Sequence, residues 1–595
     1  MIYKIVLLVL FAGSIYKPLH KKYNDDYINY EPVTLSPTEK LITRQSLDKL
    51  HDKYDLKEKM LTKALSGYNY YTDADTGIFH EVRSSFNYAV GLLDLDEEQY
   101  KQRAFDIIQK TISLQDTVTA SRTCGVWPYY MEEPLATKKS PADFNWADFN
   151  GVALLDIHMG HEAKLPADLK AIIRKSLIYA AKSTQKRDVQ PGYTNIAIMG
   201  TYMTFMTSHL FDLPKMKFYS KNRLEIFYDY TLQRGFTEYN SPTYTITALD
   251  DLERMKRHIV DKDARPKIDS LYNFGWSIIA KHFHKPSGQW AGPHSRTYST
   301  LLTSSVNGIL KEASGGKINL PGAMPRSDVK IKHPLQAYLL PYFLSPQNAV
   351  TLKETLAIDD PKIIGTSYLA DKYALSSANR SSLWNQRRPF LAYWGKPQNP
   401  SYLQVRFLHD LYDFSSASFY SEQKENNILA AINFSTNGGD KHISIDKLKD
   451  GIFKAKDLRL RFEFGNVAPG KLILPVNSDL PFTLQIDGLQ FNLQLLRAVF
   501  DQFKGHWGKG GDARVPWFDF VFYEGEERDI DLTAINEAVL GFTFQIDDSK
   551  KTSDSENPDG KITPATLSTA WKALEIIIPI KPGLQPKNLY GAKSR

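Results

Sequence analysis

Across 595 residues there is a single cysteine, Cys124, so no disulfide can form within the chain. Stability must come from the size of the hydrophobic cores. Long apolar runs are equally scarce. The one present, MIYKIVLLVLFAGSIY at the start of the chain, has one Lys and then an apolar stretch too short for a bilayer span and right for a secretory signal core. The expectation is an export signal over residues 1–22 and a periplasmic or extracellular location. An uncleaved anchor is the alternative, because no small-x-small cleavage site follows. An excess of one charge is missing too: 74 Lys and Arg face 67 Asp and Glu, a net charge of +7 spread along the chain. That argues against nucleic acid and a stable membrane partner, and suits an acidic polymer. No repeat of solenoid length occurs, and no His/Asp cluster stands at metal-ligand spacing, so no metal or cofactor is expected.

What is present is enough apolar material, 42%, to fold two or three domains. Over residues 46 to about 315 the hydrophobic period is helical, as in Leu169, Ile172, Ile173, Leu177 and Ile178. The spacing predicts helices near 146–160, 166–184, 194–210, 216–234, 242–259 and 265–283. Beyond about residue 400 the period becomes two, as in LRLRFEFGN and LGFTFQID, which predicts an antiparallel β-sandwich. The fold class is therefore α+β and multidomain: an (α/α) toroid, incomplete or of six hairpins, over 23–330, then sheets over 331–595. The tract DDSKKTSDSENPDGK, 547–561, is predicted to be a polar surface loop.

If consecutive helices run up and down, their connections alternate between two ends about 27 Å apart. One end receives HEAKL, FDLPK and VDKDA. The other receives QKRDVQPGY, GFTEYNS and HKPSGQWAGPHSR, together with the approach DFNWADFN. This segregation predicts one cleft holding Asn195, Asn240, Tyr244, His294, Arg296 and Tyr298. Such a set suits proton abstraction next to a carboxylate: an Asn, Arg or His neutralises the acid group, a Tyr or His removes the C5 proton of a uronic acid, and a Tyr protonates the leaving oxygen. Tyr193, Glu238, Trp127, Trp290, Arg387 and Arg388 are candidate substrate-binding residues around it.

The Asn-Ser-Pro-x-Tyr and Pro-His-Ser-Arg-x-Tyr motifs, with the entry SLWNQRRPFLAYWG to the sheet half, resemble the toroid-plus-sandwich polysaccharide lyases of the heparinase II/III-like and alginate-lyase-like group. The resemblance implies β-elimination at C4 of a uronic acid, with Asn240 and His294 neutralising the carboxylate and Tyr244 or Tyr298 as acid or base. Release of a terminal rhamnose from glucuronate on arabinogalactan is one reaction it implies. Other readings stand beside it. Asn240, Ser241 and Pro242 also make a helix start. Glu238 with Asp148 or Asp188 would give a glycoside hydrolase its acid pair. The aromatics alone would serve a non-catalytic glycan-binding protein.

Overall fold

The computed structural model describes residues 23–66, 72–359, 361–439, 448–473, 482–548 and 558–584. The expected export signal lies outside the described residues, as does most of the 547–561 tract. The first half is helical: α1 (Pro37–His51), α2 (Val82–Leu95), α3 (Glu98–Ser113), α4 (Asn145–His161), α5 (Ala167–Arg187), α6 (Thr194–Leu210), α7 (Pro214–Arg234), α8 (Tyr244–His258), α9 (Arg265–His282) and α10 (Ser304–Ala313). Local chemistry sets several starts. Ser36 and Glu39 form a reciprocal capping box on α1, and Pro opens the first turn of α7 and α9. A small three-stranded sheet, Tyr54–Asp55, Met60–Ser66 and Thr76–His80, interrupts the helices early on; the sequence reading did not resolve it.

α2, α4, α6 and α8 form an inner row, each packed on the next, with α3, α5, α7 and α9 outside them. Burial separates the rows: every residue of α6 from Thr194 to His209 is buried, whereas outer α7 buries only one side. The result is an incomplete toroid of four hairpins around one hydrophobic core. Its end helices, α2 and α8, stand on opposite sides of a cavity of about 460 Å³. All four inner helices begin at the same end, as contacts between their starts show: Val82 N–H donates to Tyr129 O, Tyr129 packs on Trp146, Asn145 bonds Tyr193, and Thr237 N–H reaches Thr194.

From Val350 onward the chain is antiparallel sheet. One sheet runs in the order His506–Gly511, Pro516–Asp531, Ile452–Gly465, Asn399–His409, Phe390–Lys396, Tyr373–Ala378, Ile363–Leu369, Val350–Ala357. It faces a second sheet ordered Arg380–Ser382, Ala417–Lys424, Asn427–Phe434, Ala538–Asp548, Leu489–Phe500, Phe482–Ile486. Alternating inward side chains fill the space between them, with Phe407 against Phe434 and Phe390 against Phe544, ring centres 4.9 and 5.0 Å apart. A three-stranded sheet, Asp559–Ile562, Thr566–Trp571 and Leu574–Pro579, covers the outer face of the second.

The link between the halves is the chain after α9. His294 and Arg388 exchange both main-chain hydrogen bonds, 3.1 and 3.0 Å; Thr297 N–H donates to Gln386 O; Ser367 Oγ donates to Gly292 O. Ala291 packs on Leu369 and Ala374, and Tyr239 on Ile363 and Ala378.

Candidate functional site

The segments 235–245 and 288–299 interlock. Asn240 has φ +42°, in the left-handed region that Asn tolerates better than most residues, and this turns its side chain into the neighbouring loop. Its Nδ2 donates to Ala291 O at 2.9 Å and Pro293 O at 3.0 Å, and its Oδ1 accepts the Trp290 indole N–H. Its main-chain oxygen accepts from His294 Nδ1 at 2.6 Å. Ser241 Oγ donates to Arg296 O and accepts the Tyr244 N–H at 3.0 Å, so it ties the start of α8 to the second loop. Ser295 donates from both its N–H and its hydroxyl to Tyr239 O.

This geometry corrects the roles expected for Asn240 and His294. Asn240 is 2% exposed and its carboxamide has no proton left for a substrate carboxylate. His294 is also 2% exposed; Nδ1 carries its proton to a carbonyl, Nε2 is enclosed, and burial pushes the imidazole down to about 3, so it is neutral. Neither presents a group to the cleft. Trp290 and Trp127, each 1% exposed, belong to the core and offer no face to a sugar; Trp127 bonds Thr111 O and stands edge-on to Phe86. Arg388 is also structural, donating to the main-chain oxygens of Asn385 and Arg387 and to Thr300 Oγ1.

The open side of the interlock gathers two tyrosine hydroxyls and an arginine. Tyr244, first residue of α8, and Tyr298, 63% exposed, share a hydroxyl–hydroxyl bond of 2.7 Å. The Arg296 guanidinium lies 4.3 Å from the Tyr244 ring centre and 5.5 Å from that of Trp384. It donates from Nη1 to Glu238 (2.7 Å), from Nε and Nη2 to Gln386 Oε1 (3.0 and 2.8 Å), and from Nη2 to the Tyr298 hydroxyl (3.3 Å). Burial pushes the Tyr244 phenol far above its ordinary value, which Arg296 only partly offsets, so Tyr244 keeps its proton. Burial works against the Arg296 charge, but Glu238 and the two tyrosines outweigh it and hold its pKa above the usual value. Glu238 is raised by burial despite Arg296.

Across the mouth, Tyr193 accepts from Asn145 Nδ2 at 3.2 Å, and Arg187 Nη1 donates to Asn145 Oδ1 at 2.6 Å. Asn195, in the first turn of α6, is 5% exposed, and its Oδ1 has no hydrogen-bond partner in the protein. Arg387 lies beneath Trp384, its guanidinium 5.9 Å from that ring, and interacts with Tyr239. Gln386 and Asn145 escaped the sequence reading. Gln386 stands in the quoted WNQRR entry, but an amide that orients an arginine has no spacing rule of its own.

The acid pair of a hydrolase is not assembled. Asp148 is 1% exposed and accepts from Thr184 Oγ1, Asp188 bonds Arg223 and Tyr219 among the outer helices, and Glu238 is bound to Arg296. Among the described residues no cluster of His, Cys, Asp and Glu could hold a metal ion, and no helix is long and apolar enough to cross a membrane.

A family model described as a domain of unknown function, DUF8769, matches residues 42–314, the helical half. A comparison with curated proteins gives no match. Among solved structures, heparinase III is similar with 9% identity over 92% of each chain and a TM-score of 0.46; a second heparinase III gene product has 10% identity over 92% of this chain and 91% of its own, with a TM-score of 0.38. At this level of similarity neither carries an activity to this chain.

Proposed function

We propose that this protein is a polysaccharide lyase that cleaves at C4 of a uronic acid by β-elimination. The observation that carries the reading is the Tyr244–Tyr298 hydroxyl pair beside a charged Arg296, at the end where four inner helices begin. Helix starts present N–H groups and the positive end of the helix dipole, which favours an acidic sugar there. Asn195, in the first turn of α6 at that end, is placed to donate its Nδ2–H to the carboxylate and so acidify the C5 hydrogen.

The proton transfers then balance. The step requires Tyr298 as its conjugate base, with the Arg296 Nη2–H donated to its oxygen: Tyr298 takes the C5 proton, the electron pair forms the C4–C5 double bond and the C4–O bond breaks. Tyr244, which holds its proton, gives it to the leaving oxygen. The 2.7 Å bond returns a proton from Tyr298 to Tyr244, so both groups are restored without an outside acid or base. Both transfers come from one face of the sugar. The apolar segment at the start of the sequence supports work outside the cytoplasm, where such polymers occur.

The test is incubation with a panel of acidic glycans, with rhamnose-capped glucuronate of arabinogalactan first. The ultraviolet absorbance of an unsaturated uronate is the expected result. Reducing ends released without that absorbance would make the protein a hydrolase, and tight binding without any product would make it a glycan-binding protein.

A further inference from the structure

The cavity between α2 and α8 begins one turn below Tyr244 and is not used by the tyrosine cluster. Arg83, Asn87, Gly91 and Asp94 line it from α2, and Thr247, Asp250, Asp251 and Arg254 from α8. Spacings of three and four put each row on one helix face. Its volume of about 460 Å³ is in the range of small-ligand sites.

The two ends differ in charge bookkeeping. At the far end every arginine or lysine has a carboxylate: Lys330 with Asp94 (2.8 Å), Arg326 with Asp250 (2.6 Å), Arg254 with Asp251 (2.9 Å) and Asp328 (3.4 Å). His161 and His333 add bonds of 2.7 Å to Asp94 and Asp250. These pairs pin the segment 326–333 across the gap as a floor. At the near end stands Arg83. Its guanidinium lies 3.7 Å from the Phe149 ring centre, and among the described residues it makes no hydrogen bond or ion pair. It is solvent-accessible, yet the surrounding protein lowers its pKa, as expected of a side chain on a concave wall. Asn87, one turn further in on α2, is also exposed. A guanidinium stacked on a ring with no acceptor for its N–H groups is a ready bidentate receptor for a carboxylate or sulfate.

We propose that this cavity is a second saccharide subsite, which receives the chain-end sugar through its anionic group, held by Arg83 over Phe149, with Asn87 and Thr247 beside the ring hydroxyls. This rests on the acidic-saccharide reading above. Because the ion-paired floor closes the far end, the chain enters end-on, and the enzyme acts from chain ends, releasing short products from the outset.

Titration of the intact protein with D-glucuronic acid, glucosamine 6-sulfate and D-glucose tests this, with thermal melting as the control for folding. Glucuronic acid or the sulfated sugar should bind at least about tenfold more tightly than glucose, and Arg83→Gln should erase that preference. Asn87→Asp, which adds a negative charge at an exposed position near Arg83, should erase it as well. Carboxylate and sulfate are distinguished by which of the two sugars binds. Equal binding of acidic and neutral sugars, no binding to the native protein, or a preference that survives Arg83→Gln each overturn the proposal. So does binding of inorganic sulfate at Arg83 without binding of either acidic sugar. Tyr244→Phe should leave these affinities unchanged; if the native protein binds glucuronic acid but forms no unsaturated product from any acidic glycan, the elimination reading fails and the subsite stands.

Discussion

The two sides of the interlocked loops are built from the same two motifs and do opposite things. On the inner side Asn240 bonds Trp290 and, through its main-chain oxygen, His294 Nδ1, and all three are closed to solvent. On the outer side, four residues along from Asn240 and two and four from His294, Tyr244, Arg296 and Tyr298 present hydroxyls and a cation to the cleft. The inner set fixes the two loops to each other and to the sheet, and the outer set inherits its geometry from that attachment. In each motif one residue holds the loop and a neighbour faces the cleft.

Substitutions on the two sides should separate activity from stability. The largest effect belongs outside: Tyr244→Phe removes only a hydroxyl and should lower turnover by about 10²–10⁴ while the melting temperature stays within a degree or two of native. A kinetic assay beside a melting curve checks both halves of that statement, and full activity would remove Tyr244 from the reaction. Inside, Asn240→Gly keeps the left-handed backbone but deletes three hydrogen bonds, and should cost about 2–4 kcal/mol in denaturant unfolding. Saccharide affinity measured well below the melting point should change little by comparison.

Acid should act through buried histidines, His294 of the inner side among them. His294 is held at about 3, and His209 and His284 at about 4, all by burial, against about 6.5 when unfolded. Between those values the unfolded chain binds more protons than the folded one. Stability present above pH 6.5 is therefore lost as pH falls toward 4, by roughly 1.4 kcal/mol per pH unit for each such histidine. Melting curves at pH 7.5 and 4.5 should show the drop, and His294→Gln should shrink it. The smallest effect is expected for Trp290→Phe, which loses its bond to Asn240 and some packing, about 1–2 kcal/mol, with glycan binding unchanged because the ring never meets the cleft.

Periodicity made much of this fold legible. The apolar rows from residue 146 to 283 mark six helices that the structure begins and ends within a few residues of expectation, and the switch to period two marks the sheets. The gathering of polar loops at one end was legible as well, because short connections force neighbouring helices to run antiparallel. What sequence could not show is which way a loop residue faces. Asn240 and Tyr244 look equally functional in GFTEYNSPTYT; a positive φ at Asn240 sends its amide inward, and no pattern in the string encodes that angle. Arg83 was invisible for another reason. On a helix it reads as an ordinary surface cation, and only the structure shows that its face of α2 lines a cavity rather than bulk water.

The main-chain bridge between His294 and Arg388 has a consequence for the order in which this chain becomes competent during synthesis. The loop that carries Arg296 and Tyr298 is released from the ribosome with the helices, but its partner strand is about ninety residues further on. At about 5–20 residues per second the helical half waits several seconds or more with half of its mouth unanchored. A fragment ending near residue 330 would keep the helices and lose that partner, so the anchoring of the Arg296 and Tyr298 loop arrives with the sheet half.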